Sequence, residues 1–488
     1  MRNVIKLVAG PACLHGNRGI IVLSGPWRAP TGTGHSRDGA RRAAGAGREA
    51  GMPRSATLME QDLALIRSPG FAADCATEPR WFTRRRKLTC DRLVRELLCR
   101  RGLSMELDMR LFARSTGTAR VSASAMCQAR MKLDPRAVAA LNDHHVSGFY
   151  SMADGESGIR LLAGRVVLGI DGSSVIVPST PRTLDEFGTC SSHGRATAEA
   201  GISCMYDLPD DYVVDLSVHR CRFNERNAAI AHLERLGLLA GRPCVLVMDR
   251  GYGGLPLMIS LDRAGVGFAI RMRSANFRVE RALVDGGDGW TDVRCDLKAR
   301  LAPWKGRPEH GLMESAGSLR LRFTDIGEDA DGVPVTICSN LPDDEFDTDG
   351  MRALYRLRWR AETAFRVLKD NLQLGNFTGI HPRIIRQDIH AAAYLANLAA
   401  DLAADAAEQG LPSAPYPVAV NRAYAIGVLK QELVLLPAEP DPGRRRRMLE
   451  AMGDEIRAHV CPIRPDRHYA RNRNLRAGRH HNTHKRCY

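Results

Sequence analysis

The periodicity of the apolar residues changes at Arg165, and this change constrains the fold more than any other feature. The stretches "RVVLGIDGSSVIVP", "GISCMYDL" and "YVVDLSVH" have the pattern of three consecutive strands. An amphipathic helix capped by Asn224 follows, and then "CVLVMD" and "VGFAIRM" are strands separated by the helical stretch "GGLPLMISLDRAG". Three strands followed by alternating helix and strand predict an α/β fold, in which helices flank a mixed sheet.

The segments around this core differ from it in pattern. The first 58 residues are rich in Gly, Ala and Arg and lack periodicity, so we expect them to be disordered, with the natural start of the chain at Met52 or Met59. The other predicted units are a helical N-terminal domain (59–150), the two parts of the core (151–274 and 346–410), a β-rich insertion (275–345) and a basic C-terminal region (411–488).

The basic composition favours a polyanionic partner. The 488 residues include 70 Lys and Arg against 55 Asp and Glu, which gives a formal charge of +15. Such an excess is typical of proteins that bind nucleic acid, although a basic solvated surface would have the same composition. The helical N-terminal domain, which contains Arg84, Arg85, Arg86 and Lys87, is either a DNA-binding module or a packing and dimerisation module.

The cysteines and the hydropathy favour a cytoplasmic protein. The thirteen cysteines are scattered and form no C-x-x-C pair, as expected in a reducing compartment. No apolar run is long enough for a membrane span. A basic tail that contains His468, His480, His481 and His484 could bind metal, but we expect it to contact DNA instead.

The helix that contains "YRLRWRAETAFRVLK" combines a carboxylate with cationic groups. On an ideal α-helix Tyr355, Arg358, Glu362 and Lys369 fall within an arc of about 60°. Carboxylates bind hard cations, whereas Arg and Lys bind phosphate oxygens. A divalent cation held beside a phosphate needs both kinds of group.

Two aspartates are candidate partners for Glu362. Asp171 lies in the first predicted strand and Asp249 at the end of the fourth. If these strands are neighbours, the two carboxylates meet at the edge of the sheet where open α/β folds bind ligands. Each residue also has an ordinary explanation: Asp is common in turns, and a Glu among arginines is often a surface ion pair. Their combination is what predicts a site for two Mg²⁺ or Mn²⁺ ions.

The motifs together resemble a known family. "GIDGSSVIVP", "DEFG", "NER..A..HL..L", "MDRGY" and Y-(2)-R-(3)-E-(6)-K are similar to those of the DDE transposases of bacterial insertion sequences, and most of all to the insertion-sequence-four family. The similarity extends over roughly residues 80 to 475. It implies an RNase H-like catalytic core, interrupted by a β-rich insertion between the second Asp and the Glu.

The resemblance also implies roles for individual residues. Asp171, Asp249 and Glu362 would be the catalytic, metal-binding triad, and the other residues would bind DNA. The implied DNA-binding residues are Tyr355, Arg358, Lys369, Arg250 and, as alternative candidates to capture a flipped base, Trp290 and Trp304.

The function predicted on this basis is cut-and-paste DNA transposition by a cytoplasmic, nucleoid-associated bacterial enzyme. Its partner would be double-stranded DNA, both terminal inverted repeats and target, and a homodimer would form in the DNA complex. Two alternatives stay open: an RNase H-fold DNA nuclease that does not transpose, and a catalytically silent DNA-binding regulator.

Overall fold

A computed structural model describes seven stretches of the chain: 53–84, 86–100, 104–152, 158–190, 197–284, 287–329 and 331–463. Most of the N-terminal segment that was expected to be disordered, and all four tail histidines, lie outside these residues. Residues 53–58 are described, and the first helix begins at Arg54, four residues before the end of that segment.

The centre of the molecule is a nine-stranded mixed sheet with the order β2-β3-β1-β5-β6-β9-β8-β7, in which β4 pairs with β3. Its strands are β1 Val166–Ile176, β2 Thr189–Cys190, β3 Thr197–Asp207, β4 Tyr212–Arg220, β5 Cys244–Met248, β6 Gly267–Arg271, β7 Asp288–Arg294, β8 Ser318–Glu328 and β9 Pro334–Ser339. Strands β1, β5 and β6 are parallel, and the other pairings are antiparallel. The mixed sheet expected from the sequence is therefore present.

Strands β1 and β5 form the buried middle of this sheet. All five residues of β5 and the first five of β1 are buried, as expected where helices cover both faces of parallel strands. The helices that follow in the chain are α7 Pro181–Phe187, α8 Glu225–His232 and α9 Leu255–Arg263. Asn224 caps α8, as expected, because its side chain accepts hydrogen bonds from the Arg226 and Asn227 amides.

The segment between β6 and residue 345 extends the central sheet. Strand β9 pairs with β6, and β8 and β7 continue outward from it. Three short helices accompany these strands: α10 Arg278–Arg281, α11 Lys298–Leu301 and α12 Pro308–Ala316. The β-rich character expected here is present, and its strands continue the sheet of the core.

Within the described residues six helices precede the sheet, and the last of them contacts β4. They are α1 Arg54–Arg67, α2 Pro69–Asp74, α3 Cys90–Leu98, α4 Met105–Thr116, α5 Ala123–Arg130 and α6 Arg136–Ser151. Ser122 caps α5, because its side chain accepts a hydrogen bond from the Ala125 amide. Helices α1 and α6 both contact the long helix α15, Pro382–Glu408.

The helix that carries the Y-R-E-K residues is not regular. Helix α13, Thr348–Leu357, and helix α14, Trp359–Arg366, are separated at Arg358, and residues Val367–Asn371 form a π-helical turn. The sequence predicts one continuous helix over 349–373. Since the pitch changes at both points, angles calculated for an ideal α-helix do not apply to these side chains.

The described chain ends with α16 Arg422–Glu432, α17 Pro442–Ala458 and the small strand pair β10 Val418–Val420 and β11 Val460–Pro462. Arg445, within the "RRRR" run, is 2% exposed and forms an ion pair with Glu60 of α1 at 2.6 Å. This part of the basic C-terminal region is thus a packed helix. Within the residues that the model describes, no helix has both the length and the apolar composition of a membrane span.

Candidate active site at the carboxyl ends of β1 and β5

Asp171 and Asp249 lie opposite each other at one edge of the sheet. In the parallel pairing of β1 with β5, Val166 faces Cys244 and Gly169 faces Val247. Continuing this register by two residues brings Asp171 opposite Asp249. A backbone amide donates to one oxygen of each carboxylate, from Gly172 to Asp171 at 2.8 Å and from Gly251 to Asp249 at 2.7 Å. The structure therefore brings together the two aspartates that the sequence predicts as neighbours.

The negative charge of ionised Asp171 is only partly compensated by its surroundings. Burial raises the pKa of Asp171 to about 6, and the negative charges of Asp249 and Glu225 add to this rise. The Gly172 amide and the Arg358 guanidinium lower the pKa but do not offset burial. A divalent cation would relieve this accumulation of negative charge, because its field favours the ionised carboxylates.

Arg358 is bonded to Glu362, and its charge also acts on both aspartates. Its Nη2 donates to Glu362 Oε1 at 3.1 Å, and its guanidinium carbon is 5.9 Å from the centre of the Tyr355 ring. Burial lowers the pKa of Arg358, but Tyr355, Glu362 and Asp249 outweigh it and raise the pKa above its ordinary value. Burial also raises the pKa of Tyr355. Arg358 is thus a cation whose charge acts on Asp171, Asp249 and Glu362.

Glu362 does not join the two aspartates in a finished metal site. Among the described residues, no three His, Cys, Asp or Glu side chains are arranged to hold one metal ion. The Glu362 side chain is 37% exposed and bonded to Arg358. Helix α14 nevertheless packs on β1, where the Cβ of Ala361 lies 3.4 Å from the position of a Cβ on Gly169. The helix is in place, and a cation bound by all three acids would require a movement of the Glu362 side chain.

The donor chemistry of this edge fits Mg²⁺ or Mn²⁺. Carboxylate oxygens are the ligands these cations prefer. Tyr252, three residues after Asp249, is 1% exposed, and its hydroxyl has no hydrogen-bond partner among the described residues. Burial raises the pKa of Tyr252, as do the charges of Glu225, Asp171 and Asp249. A buried hydroxyl without a partner is uncommon, because buried polar groups are normally hydrogen-bonded.

Lys369 contacts β1 directly. Its Nζ donates to Ser173 Oγ at 2.6 Å, two residues beyond Asp171. Burial lowers the pKa of Lys369, while Asp370, Glu199 and Asp171 raise it. The sequence predicts Lys369 on the same arc as Glu362. Lys369 is instead in the π-helical turn and reaches the sheet beyond the aspartates.

The remaining predicted residues have different surroundings. Arg250 is exposed immediately after Asp249. Trp290 belongs to β7, five strand spacings of about 4.8 Å from β1, and Arg320 lies 5.8 Å from its ring centre. Trp304 is partly buried and packs against the apolar core. Trp359 of α14 is 53% exposed, and the Arg358 guanidinium carbon lies 5.6 Å from its ring centre.

Comparison with known proteins shows that the segment containing these residues matches a known family. Residues 162–398 match a family model described as "Transposase DDE domain". This segment is thus similar to a transposase DDE domain. It starts just before β1, ends within α15, and includes both aspartates, Glu225 and all the Y-R-E-K residues. Helices α1 to α6, α16 and α17 lie outside it.

Two further similarities are to a protein sequence and to a solved structure. The protein y4zB of Sinorhizobium fredii, which carries a transposase name, is 27% identical over 222 residues, which are 44% of this chain and 57% of that protein. The chain thus matches little more than half the length of this relative. The cryo-EM structure of a piggyBac transposase synaptic complex with hairpin DNA has a TM-score of 0.39 and 12% identity, over 83% of this chain and 86% of that one. That TM-score is too low to establish a shared fold.

Three residues of the matched segment are absent from the set predicted from the sequence. The charge of Glu225 raises the pKa of Asp171, the charges of both aspartates raise the pKa of Tyr252, and Trp359 lies beside Arg358. The sequence contains a signal for two of these residues, but each signal is local. Glu225 follows a helix cap, and Tyr252 belongs to "MDRGY". Neither pattern predicts the edge of the sheet at which the residue lies.

Proposed function

We propose that the protein is a cut-and-paste DNA transposase of the insertion-sequence-four type, with an RNase H-like catalytic core. The observation that carries the proposal is the meeting of Asp171 and Asp249 at the ends of neighbouring parallel strands within a transposase DDE domain. The Y-(2)-R-(3)-E-(6)-K spacing on the helices that pack against β1 supports the assignment to this family.

In this proposal Asp171, Asp249 and Glu362 hold two Mg²⁺ or Mn²⁺ ions. Such ions, when bound, supply Lewis acidity for phosphodiester hydrolysis at the end of the element and for attack by the freed 3′-hydroxyl on target DNA. The chain's own part is to fix the carboxylates on rigid elements. Two of them stand on adjacent strands, and backbone amides hold one oxygen of each.

The cationic residues of the proposal bind the DNA backbone. Arg358 would clamp a phosphate of the transposon end, with Tyr355 packed beside it, and Lys369 and Arg250 would bind neighbouring phosphates. A phosphate at Arg358 competes with Glu362 for the guanidinium, since both are anions that require its N–H groups. The released Glu362 carboxylate is then able to turn toward the aspartates. Trp290 and Trp304 stay candidates for capture of a flipped base.

The partners follow from the same assignment. The protein would bind terminal inverted repeats and target DNA, as a homodimer in the DNA complex, and would act in the bacterial cytoplasm at the nucleoid. Helices α1 to α6 and the basic C-terminal region are the proposed additional DNA contacts, in line with the formal charge of +15.

The replacement Asp249→Asn tests the proposal. It removes one charged ligand and keeps the size of the side chain, so we expect Mg²⁺-dependent cleavage of the element's ends to fall at least a thousandfold. Binding of end DNA, measured by mobility shift, should stay within about threefold of the unaltered protein, because phosphate contacts dominate affinity.

Asp344→Asn is the matched control. Asp344 is exposed and precedes Glu345, which pairs with Arg165 at the opposite end of β1. This variant should cleave normally. Cleavage by Asp249→Asn at the normal rate would contradict the proposal, and equal cleavage of unrelated duplexes by the unaltered protein would favour the non-transposing nuclease.

A further inference from the structure

Two helices contact strand β1 from opposite faces of the sheet. A Cβ on Gly169 would lie 3.4 Å from the Cβ of Ala361 in α14. A Cβ on Gly172 would lie 2.6 Å from Oε1 of Glu225 in α8. Residues three positions apart on a strand present opposite faces, and residues two positions apart share a face. Asp171 therefore lies on the face that α14 covers, and α8 covers the other face.

Helix α8 is fixed to the sheet at its last residue. His232 bonds through Nε2 to Ser203 Oγ of β3 at 2.9 Å and through Nδ1 to Asp215 Oδ2 of β4 at 2.6 Å. His232 and Ser203 are both buried. Because buried polar groups must keep their partners, these bonds hold the helix in one position relative to the sheet.

The first turn of α8 contacts the loop that contains Asp249. Arg226, the second residue of the helix, donates from Nε to the carbonyl oxygen of Gly251 at 2.9 Å. Its guanidinium also lies against Gly254, where a Cβ would be 3.3 Å from Nη1 and 3.6 Å from Cζ. The loop is thus held by a side chain from the face of the sheet opposite α14.

Gly251 connects this contact to the Asp249 carboxylate. Its amide donates to Asp249 Oδ1 at 2.7 Å, and its carbonyl accepts the bond from Arg226. A Cβ on Gly251 would lie 2.9 Å from Asp249 Oδ1, which leaves no room for a side chain while the carboxylate keeps its place. The Tyr252 amide closes the turn on the Asp249 carbonyl oxygen at 3.2 Å. A displacement of the Gly251 backbone therefore moves the donor that orients Asp249.

We propose that Arg226 is a positioning residue for Asp249. It holds the Gly251 carbonyl from the far face of the sheet and thereby fixes the amide that orients the carboxylate. This inference rests on the proposed function, in which Asp249 belongs to the catalytic triad, and deepens it. Arg226 acts through the loop and does not touch the reacting atoms. The contact matters because a displacement of about 1 Å can lower the rate of a positioned reaction about a hundredfold.

Two replacements separate the hydrogen bond of Arg226 from its charge. Arg226→Gln places an amide nitrogen where Arg226 has Nε, so it keeps a donor and loses the charge. Arg226→Met places a methyl group there and loses both. Arg263→Met is the matched control, because Arg263 is exposed at the far end of α9 and its replacement changes the net charge equally.

The first measurement is amide hydrogen exchange of segment 249–255 in the full-length protein without metal or DNA. Arg226→Met should speed exchange there about tenfold, because the Gly251 amide loses its fixed position beside Asp249. Arg226→Gln and Arg263→Met should stay within about twofold of the unaltered protein. Unchanged exchange in Arg226→Met would overturn the inference. Faster exchange across the whole sheet would also overturn it, since that marks a general loss of stability.

The second measurement is single-turnover cleavage of the element's ends at saturating DNA. Arg226→Met should lower the rate about tenfold to a hundredfold. Its Kd for end DNA should stay within about threefold of the unaltered protein, because phosphate contacts dominate that affinity. Arg226→Gln should restore most of the rate. Equal losses of rate for the two variants would show that the charge matters rather than the bond, and the positioning role would be wrong.

The outcomes separate this inference from the proposed function. If Asp249→Asn abolishes cleavage and Arg226→Met leaves it unchanged, the role of Arg226 is overturned and the transposase proposal stands. If the unaltered protein does not cleave its end DNA, the proposed function fails, and the positioning role in catalysis fails with it. Hydrogen exchange still decides in that case whether Arg226 holds the loop.

Discussion

At the scale of single residues, the candidate site is assembled at a cost to stability. Burial and the charges of two other acids raise the pKa of Asp171, and the Arg358 guanidinium and the Gly172 amide lower it by less. Groups whose pKa is shifted in this way cluster at functional sites, because a fold that needed only stability would not place them together.

Replacement of Asp171 should therefore stabilise the metal-free protein. The folded-state pKa of about 6 lies above the value of about 4 in an unfolded chain. The ionised carboxylate thus destabilises the folded state above about pH 6, and this cost disappears as the pH falls below about 4. At pH 7 we expect Asp171→Asn to raise the free energy of unfolding by about 2 kcal/mol.

Urea denaturation at pH 7 and at pH 4.5 measures this effect. The gain should be larger at pH 7 than at pH 4.5, and Asp344→Asn should show no such difference. A loss of stability at pH 7 for Asp171→Asn would mean that the carboxylate makes a net favourable interaction, contrary to the electrostatics described above.

The sequence predicts which residues carry the chemistry of the site but not how they are arranged. The meeting of Asp171 and Asp249 is predictable because neighbouring parallel strands place their carboxyl ends at the same edge of the sheet. The reach of Glu225 to Gly172 depends on the packing of α8 over the sheet, and no local pattern encodes that. The bond between Arg358 and Glu362 likewise depends on a helix break at Arg358 that propensity does not show.

At the scale of elements, the contact of α14 with β1 positions Glu362. Gly169 and Ala361 are both small, so the helix approaches the strand closely. The strands and most helices follow from apolar periodicity. The π-helical turn at Val367–Asn371 does not, because its extra residue per turn is selected by tertiary contacts such as that of Lys369 with Ser173.

Enlarging Ala361 should separate α14 from β1. Ala361 is 3% exposed, and Ala361→Leu adds three carbons at the contact, which typically costs about 1 to 3 kcal/mol. We expect end cleavage to fall more than tenfold, since Glu362 moves with the helix, while the protein stays folded by circular dichroism. Ala353→Leu, at an exposed position of α13, should cleave normally. Full cleavage by Ala361→Leu would show that the approach of α14 is not needed.

At the scale of the whole molecule, a buried charge network joins the N-terminal helices to the long helix α15. His145 of α6 bonds through Nδ1 to Asp62 of α1 at 2.7 Å and through Nε2 to Asp401 of α15 at 2.9 Å. Tyr394 donates to Asp62 at 2.7 Å, and the Arg54 Nε lies 2.9 Å from Asp401. The N-terminal helices are thus fixed to α15 by polar bonds that demand specific geometry, as well as by apolar contact.

The charge of His145 makes this attachment pH-dependent. Burial lowers the pKa of His145, but Asp62 and Asp401 outweigh it and raise the pKa to about 10. An unfolded histidine has a pKa of about 6.5. The folded state therefore binds the proton more tightly, so the stabilisation is complete below about pH 6.5 and is lost as the pH rises toward about 10.

We expect His145→Gln to lower the free energy of unfolding at pH 6 by about 3 to 5 kcal/mol, because it removes the cation between two buried carboxylates and leaves Asp401 with Arg54 alone. Urea denaturation of both proteins between pH 6 and pH 10 should show this difference shrinking steadily as the pH increases. His310→Gln, on the partly exposed surface of α12, is the control and should show no such trend. A difference that stays constant across this range would mean that His145 is neutral in the folded protein and that the N-terminal helices are held by hydrogen bonds and packing alone.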